Sequence, residues 1–112
     1  MRVISQDGTI DVPYDYFSLS LVGGKYKDVE VAYIYCHNLS SPNGTKLAKY
    51  STKAKAIKVM EMLREHNEGV IFLKTIINTE KGISFVRGLS KTDFNKLTQN
   101  YFQFPQDDEI EV

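Results

Sequence analysis

Two short stretches carry side chains suited to gripping an anion. The first is Lys49-Tyr50-Ser51-Thr52-Lys53. Ser51 or Thr52 is placed to cap a helix start, where unpaired backbone N–H groups and the positive end of the helix dipole face outward. Their hydroxyls, with Lys49 and Lys53, could hold a phosphate, and Tyr50 could stack on a base. The second stretch is Arg87-Gly88-Leu89-Ser90-Lys91. Ser90 with Asp93 spells a capping box, and Leu89 can staple onto Phe94. Arg87 suits a two-pronged grip on phosphate, Lys91 adds a second cation, and Phe85 and Tyr101 offer ring faces. Each stretch also has a plainer reading. The first is then a solvated, lysine-rich helix start. The second is a structural turn into a helix, with Asp93 competing for the cations.

Catalytic patterns are missing. Cys36 and His37 are neighbours, but on a strand they point to opposite faces and do not share one site. The only other histidine is His66, and there is no second cysteine to complete a metal set or a disulfide. Asp7, Asp11 and Asp15 cluster near the start, Glu61 and Glu65 fall on an outer helix face, and none forms an evident acid/base pair. No Walker loop, GxGxxG or GxSxG occurs. The residues therefore predict no enzyme, no metal and no cofactor.

Positioning these residues requires a small mixed domain. Val3-Ile4-Ser5 and Thr9 to Val12 read as a hairpin about a two-residue Asp7-Gly8 turn, stopped by Pro13. Tyr14 to Val22 alternates like a half-buried strand, and Gly23-Gly24-Lys25 begins a loop. Val29 to Cys36 is apolar on both faces and reads as a central strand. Asn38 to Gly44 is dense in turn formers and reads as a loop, and Lys46 to Tyr50 as a short strand. A helix follows from the Ser51/Thr52 cap to about His66. Ala56, Val59, Met60 and Leu63 form its buried stripe, widened by Ile57, and Asn67 and Gly69 are its stop. Val70 to Ile77 and Ile83 to Arg87 read as strands about a Thr79–Gly82 turn. A short helix from Lys91 to Gln99, with Phe94 and Leu97 inward, and a last strand from Tyr101 to Phe104 complete the order. The expected fold is α+β: an antiparallel sheet with one long and one short helix packed on it. One domain covers 1–105, and 106–112 is an acidic tail that trails into solvent.

Charge narrows the partners. The 112 residues hold 14 basic and 14 acidic side chains, so the net charge is zero. Duplex-DNA binding driven by phosphate neutralisation is disfavoured, and no sequence-specific DNA partner is expected. Between Ser41 and Arg64, however, Lys46, Lys49, Lys53, Lys55, Lys58 and Arg64 face a single acid, Glu61. A local anion site is compatible with that run. Apolar residues make up 42% and charged ones 25%, as in soluble globular proteins. No signal peptide or membrane-length apolar run is visible, which predicts a cytoplasmic protein and no membrane partner. Seven tyrosines and six phenylalanines exceed what core filling requires. Tyr14, Tyr16, Tyr33, Tyr35 and Tyr101 could line a stacking pocket or a subunit interface, or simply be half-buried strand residues.

Three segments, MRVISQDGTIDVPY, AKYSTKAKAIKVMEMLRE and YFQFPQDDEIEV, together resemble a large family of small proteins encoded by phages and prophages of Gram-positive bacteria. The similarity spans the start, centre and end of the chain. One departure stands out: relatives tend to carry acids just after the YST cap, where this chain has Lys53 and Ala54. The resemblance implies a phage accessory protein of the bacterial cytoplasm. Such proteins include anti-defence sponges, homo-oligomers that bind and hide nucleotide-type immune signals. The expected function is therefore sequestration of a small nucleotide-type ligand by a homo-oligomer. The alternative is a protein–protein inhibitor of a host enzyme or a small phage regulatory protein.

Overall fold

The computed structural model describes residues 1–38, 41–76 and 79–111; the side chains of 41, 42 and 96–98 lie outside it, and with them the expected inward placement of Leu97. The fold is α+β, as the residue pattern predicts. The described residues form six strands: β1 (Arg2–Ile4), β2 (Asp11–Pro13), β3 (Ser18–Tyr26), β4 (Val29–Asn38), β5 (Ser41–Tyr50) and β6 (Tyr101–Gln103). Three helices, α1 (Lys53–Ile76), α2 (Glu80–Arg87) and α3 (Lys91–Thr98), stand between β5 and β6. The strands form an antiparallel meander, β3-β4-β5, and a smaller sheet, β2-β1-β6, in which β1 runs antiparallel to β2 and parallel to β6.

Strand β4 is central to the meander, in keeping with its apolar character on both faces. Ala32, Ile34 and Cys36 enter the core, and Tyr33, Tyr35 and His37 line the opposite face. Three turns differ from expectation. Gly23 and Gly24 do not begin a loop; they pair with Ala32 and Val31, and the chain reverses at Lys27-Asp28. Both of these residues have positive φ, 51° and 64°, the conformation of a tight turn matched to strand twist. Of the stretch expected as a loop from Asn38 to Gly44, the described residues are strand: Asn38 ends β4 and pairs with Ser41, which begins β5, while Leu39 and Ser40 lie outside the described residues. The turn-forming residues from Ser41 to Gly44 fill an irregular edge strand, where Gly44 adopts φ +81° beneath the His37 ring. Finally, six residues rather than two join β1 to β2. Asp7 organises them by accepting hydrogen bonds from Ser5 Oγ (2.7 Å), Thr9 N–H (3.0 Å) and Thr9 Oγ1 (2.7 Å).

A register shift in β5 lets Leu47 and Ala48, consecutive residues, both enter the core. Helix α1 lays Ala56, Val59 and Leu63 against this sheet. Val3, Val12, Phe104 and Ile110 join the same cluster from the smaller sheet and the C-terminal segment. Residues 106–110 are thus docked rather than trailing into solvent: Ile110 is buried, and Asp107–Glu109 form a 3-10 turn closed by a reciprocal Gln106–Glu109 cap.

The largest departure lies between 67 and 87. Helix α1 does not stop at Asn67-Glu68-Gly69 but runs for 24 residues to Ile76. Ala56, Val59, Leu63, Val70 and Leu73 are its buried positions. With His66 they keep a three-four spacing throughout, so one stripe continues past the polar interruption. Ile57 lies off that stripe and is 43% exposed. The β-branched run Val70–Ile76 is therefore helical, because tertiary burial of Val70 and Leu73 outweighs a local propensity difference of tenths of a kcal/mol per residue. Ile83–Arg87 is helical too, as part of α2, whose cap is Thr79 Oγ1 accepting from Gly82 N–H (2.9 Å). Ser90 caps α3 as expected, accepting from Asp93 N–H (3.1 Å).

The molecule is consequently elongated. Its radius of gyration is 16.3 Å and its extents are 56 × 34 × 20 Å, against about 13 Å for a compact domain near this length. The second half of α1, with α2 and α3, forms an arm beyond the sheets. Its tightest point is Gly82, where an added Cβ would lie 1.7 Å from the Ile76 carbonyl oxygen. Gly82→Ala should therefore lower stability by about 1–3 kcal/mol. Gly23→Ala, with open space around it, should change stability by less than about 0.5 kcal/mol. Chemical denaturation of the two variants checks the contrast.

Candidate functional site

The first anion candidate sits where β5 turns into α1. Thr52 is the cap: its Oγ1 accepts from Lys55 N–H (3.1 Å). Two further donors at this corner meet carboxylates from distant segments. Lys53 N–H donates to Glu30 Oε1 (3.0 Å), and Ser51 N–H donates to Asp107 Oδ1 (2.7 Å). Lys55 Nζ reaches Asp107 Oδ2 (3.2 Å) and the Asp107 carbonyl (3.1 Å). The first turn of α1 carries no acid of its own; these two complement the helix dipole from outside the helix. A phosphate would have to displace both. Tyr50 is 1% exposed, and its hydroxyl donates to the Pro105 carbonyl (2.8 Å). Burial pushes its phenol pKa up, and the carboxylates of Asp107 and Glu109 push the same way. No ring face of Tyr50 is left for a base. Lys49 and Lys53 are exposed at the rim.

The second candidate lies elsewhere. Arg87 ends α2, and Ser90 and Lys91 begin α3, so this is a helix–helix turn and not a strand-to-helix junction. Phe85 packs edge-on to Phe72 with ring centroids 6.0 Å apart. Phe72 is nineteen residues along α1 from Lys53, or about 28 Å at 1.5 Å per residue. The two junctions therefore do not meet within one chain. Tyr101 joins neither. It is exposed on β6, next to Phe102, whose ring lies 6.0 Å from His66.

A concavity of 350 Å³ does lie at the first stretch, lined by Lys49, Tyr50 and Ser51, but Glu30 and Asp107 share its walls; a second forms around Tyr14, one of the tyrosines expected to line a pocket. The 3-10 turn Tyr14–Tyr16, the start of β3 and α1 enclose a cleft of 350 Å³. Its apolar wall is Phe17, Leu19, Met60 and the buried Leu63, and Tyr14 adds an aromatic edge. Asp15 and Arg64 supply the charge. Both are exposed, and among the described residues neither makes an ion pair. Apolar walls with a few fixed polar groups are the usual make-up of a small-molecule site. Met60 and Arg64 are one helical turn apart, flanking the buried stripe. That spacing was visible in the sequence, but nothing there indicated that Tyr14 to Leu19 would lie opposite.

The outer face of the meander holds a row of rings. Tyr33 and Tyr35 have centroids 6.1 Å apart, and Tyr35 and His37 6.3 Å. Lys46 Nζ stands 5.4 Å from the Tyr33 centroid. Ser20 Oγ and His37 Nε2 are 2.6 Å apart, a cross-strand link between β3 and β4. Cys36 lies on the opposite face, buried, and burial pushes its thiol pKa up, away from the reactive thiolate. Among the described residues, no group of three or more His, Cys, Asp and Glu side chains could hold a metal ion. Among the described residues no helix is long and apolar enough to cross a membrane.

Compared with models of protein families, with curated proteins and with solved structures, the chain finds no match in any of the three.

Two expectations follow. Asp107→Ala should cost about 1–2 kcal/mol, because it uncovers a donor at the helix start and the Lys55 ammonium; equilibrium urea unfolding measures it. Asp7 is held at about 2, below its ordinary 3.8, by hydrogen bonds from the Ser5 hydroxyl and then from Thr9. The folded state therefore binds this proton less readily than the unfolded chain. The resulting stabilisation is complete above about pH 4 and is lost as the pH falls toward 2. Thermal melts across that window should show a shallower decline for Asp7→Asn than for the parent chain.

Proposed function

We propose that the protein acts by binding, without turnover, and that its ligand is a small nucleotide-type anion held in the cleft between the Tyr14–Tyr16 turn and α1. The observation that carries this reading is the pairing of a guanidinium, Arg64, that makes no ion pair among the described residues, with ring walls in one concavity. A guanidinium grips phosphate through paired N–H donors, Tyr14 and Phe17 can cover a base, and Asp15 can accept from ribose hydroxyls or a base amino group. The volume of 350 Å³ suits a nucleoside-sized body with its phosphate toward solvent. This location replaces the two helix junctions as the preferred binding surface, since Glu30 and Asp107 already occupy the first.

The biological setting belongs to the same proposal. The resemblance to phage and prophage proteins supports a role in withholding a nucleotide signal of host defence. A binding cleft, rather than a reaction centre, is what such a role requires.

Isothermal titration with mono-, di- and cyclic nucleotides and ADP-ribose compounds tests the reading. One of them should bind, and Arg64→Ala should weaken it about tenfold to a hundredfold. Lys53→Ala and Arg87→Ala should leave the affinity unchanged. Failure of every nucleotide to bind overturns the ligand class. Binding that ignores Arg64→Ala overturns the site.

A further inference from the structure

The outer face of the meander is a surface that the binding cleft does not use. The cleft opens on the α1 side, walled by Leu19 and Leu63. Tyr33, Tyr35 and His37 occupy alternate positions of β4 on the other side, all partly exposed, with ring centroids 6.1 and 6.3 Å apart. Strand β5 sets an exposed lysine opposite each tyrosine: Lys49 pairs with Tyr33 and Lys46 with Tyr35. The Lys46 ammonium leans over the Tyr33 ring, 5.4 Å from its centroid. Strand β3 flanks the row with smaller side chains, Ser20 opposite Tyr35 and Val22 opposite Tyr33. His37 is held from two sides, by Ser20 Oγ at 2.6 Å and by Gly44, where an added Cβ would lie 2.5 Å from the ring.

Charge on this face has one sign. The three strands contain a single acid, Glu30, which alternates onto the α1 side and accepts from Lys53 N–H. Two acids from other segments border the lysines. Asp107, near Lys49, accepts from Ser51 N–H and Lys55, and Asp7, beyond β5, accepts from Ser5 and Thr9. Among the described residues neither Lys46 nor Lys49 makes an ion pair.

We infer that this face binds a single-stranded nucleic acid, with bases stacked on Tyr33, Tyr35 and His37 and phosphates on Lys46 and Lys49. Lysines without acids among them favour a polyanion. Rings repeated along a strand favour planar groups repeated along a chain, because every base offers a π-face. The ring spacing excludes a duplex. Its nucleotides advance only about 3.4 Å along each strand, and their faces are hidden in the stack. A single strand can splay its bases to about twice that distance and lay one on each ring. An acidic peptide meets the lysines but brings no planar group for each ring. The zero net charge of the chain is compatible with this partner, since stacking supplies affinity that phosphate neutralisation alone does not.

The inference is independent of the nucleotide cleft, which lies across the sheet. Fluorescence anisotropy of the full chain with labelled oligo-dT and oligo-U, each about ten nucleotides long, tests it. Both should bind at low salt, with a slope of log K against log salt near about −1.4 for two phosphate contacts. Tyr35→Ala should weaken binding about tenfold. Lys46→Glu combined with Lys49→Glu should abolish the salt dependence and most of the affinity. Both lysines are exposed, so this variant keeps the test sound should Tyr35→Ala misfold. Arg64→Ala should leave oligonucleotide binding unchanged, which separates this face from the cleft. A preference for the deoxy or the ribo series supports the inference and identifies the strand. No saturable binding of either oligomer below millimolar protein overturns it. So does equal binding of a duplex, or binding indifferent to both variants. Self-association that depends on Tyr35 without any oligonucleotide would assign the face to a second copy and overturn it too.

Discussion

The structure turns on how the start of α1 is satisfied. A helix start leaves backbone donors that its own turns cannot use, and a buried phenol leaves a hydroxyl in the same position. Both demands arise within a few residues, at the corner where β5 becomes α1. The acceptors come from three separate places: Glu30 on β4, Pro105 after β6, and Asp107 in the C-terminal turn. Gln6 ties this corner to the β1–β2 loop. Its N–H donates to the Leu47 carbonyl, its Oε1 accepts from Lys49 N–H, and its Nε2 donates to the Pro105 carbonyl. Lys58 adds a clamp onto the Glu111 carbonyl. Both sheets, the long helix and the C-terminal segment are thus registered against one another by polar groups around one corner. The apolar core beneath, from Val3 to Ile110, is the dry side of the same arrangement.

That corner also explains what could be read in advance. Period-two patterning revealed β4 and the first half of β3, where one face of each meets the core; the strand expected from Tyr14 to Val22 begins instead at Ser18, after a 3-10 turn at Tyr14–Tyr16, and runs to Tyr26. The start of α1 and the cap of α3 were legible because Thr52 and Ser90 act on their own next turns. The carboxylates were not, since Glu30 and Asp107 are brought in only by tertiary folding. They turn a stretch that looks like an anion site into one that already holds its anions. Tyr50 was misplaced for a related reason: a tyrosine flanked by Lys49 and the polar Ser51-Thr52-Lys53 reads as a surface ring, and only the sheet-to-helix corner buries it.

The arm was illegible for a different reason. Asn67-Glu68-Gly69 has the composition of a helix stop, and VIFLKTII that of a strand. The three-four spacing linking Leu63, His66, Val70 and Leu73 crosses both, and burial follows that spacing. Likewise, the Arg64 cleft is a property of two segments meeting, one around Tyr14 and one around Leu63. The result is a division of labour along a single helix. Its first half closes the core and one wall of the cleft, while its second half presents α2 and α3 away from them.

The placement of β1 has a consequence for synthesis. It is the middle strand of its sheet, with one neighbour made immediately after it and the other, β6, made after every other strand and helix. A two-stranded hairpin is marginal in water. During translation the meander and α1 can collapse while β1 and β2 wait with one edge unpaired, for several seconds at about 5–20 residues per second. The residues that end the wait, 101–110, are also those that cover the Tyr50 corner and bring Phe104 and Ile110 into the core. Resistance to proteases is therefore acquired abruptly, when those residues arrive, rather than by degrees as the chain lengthens.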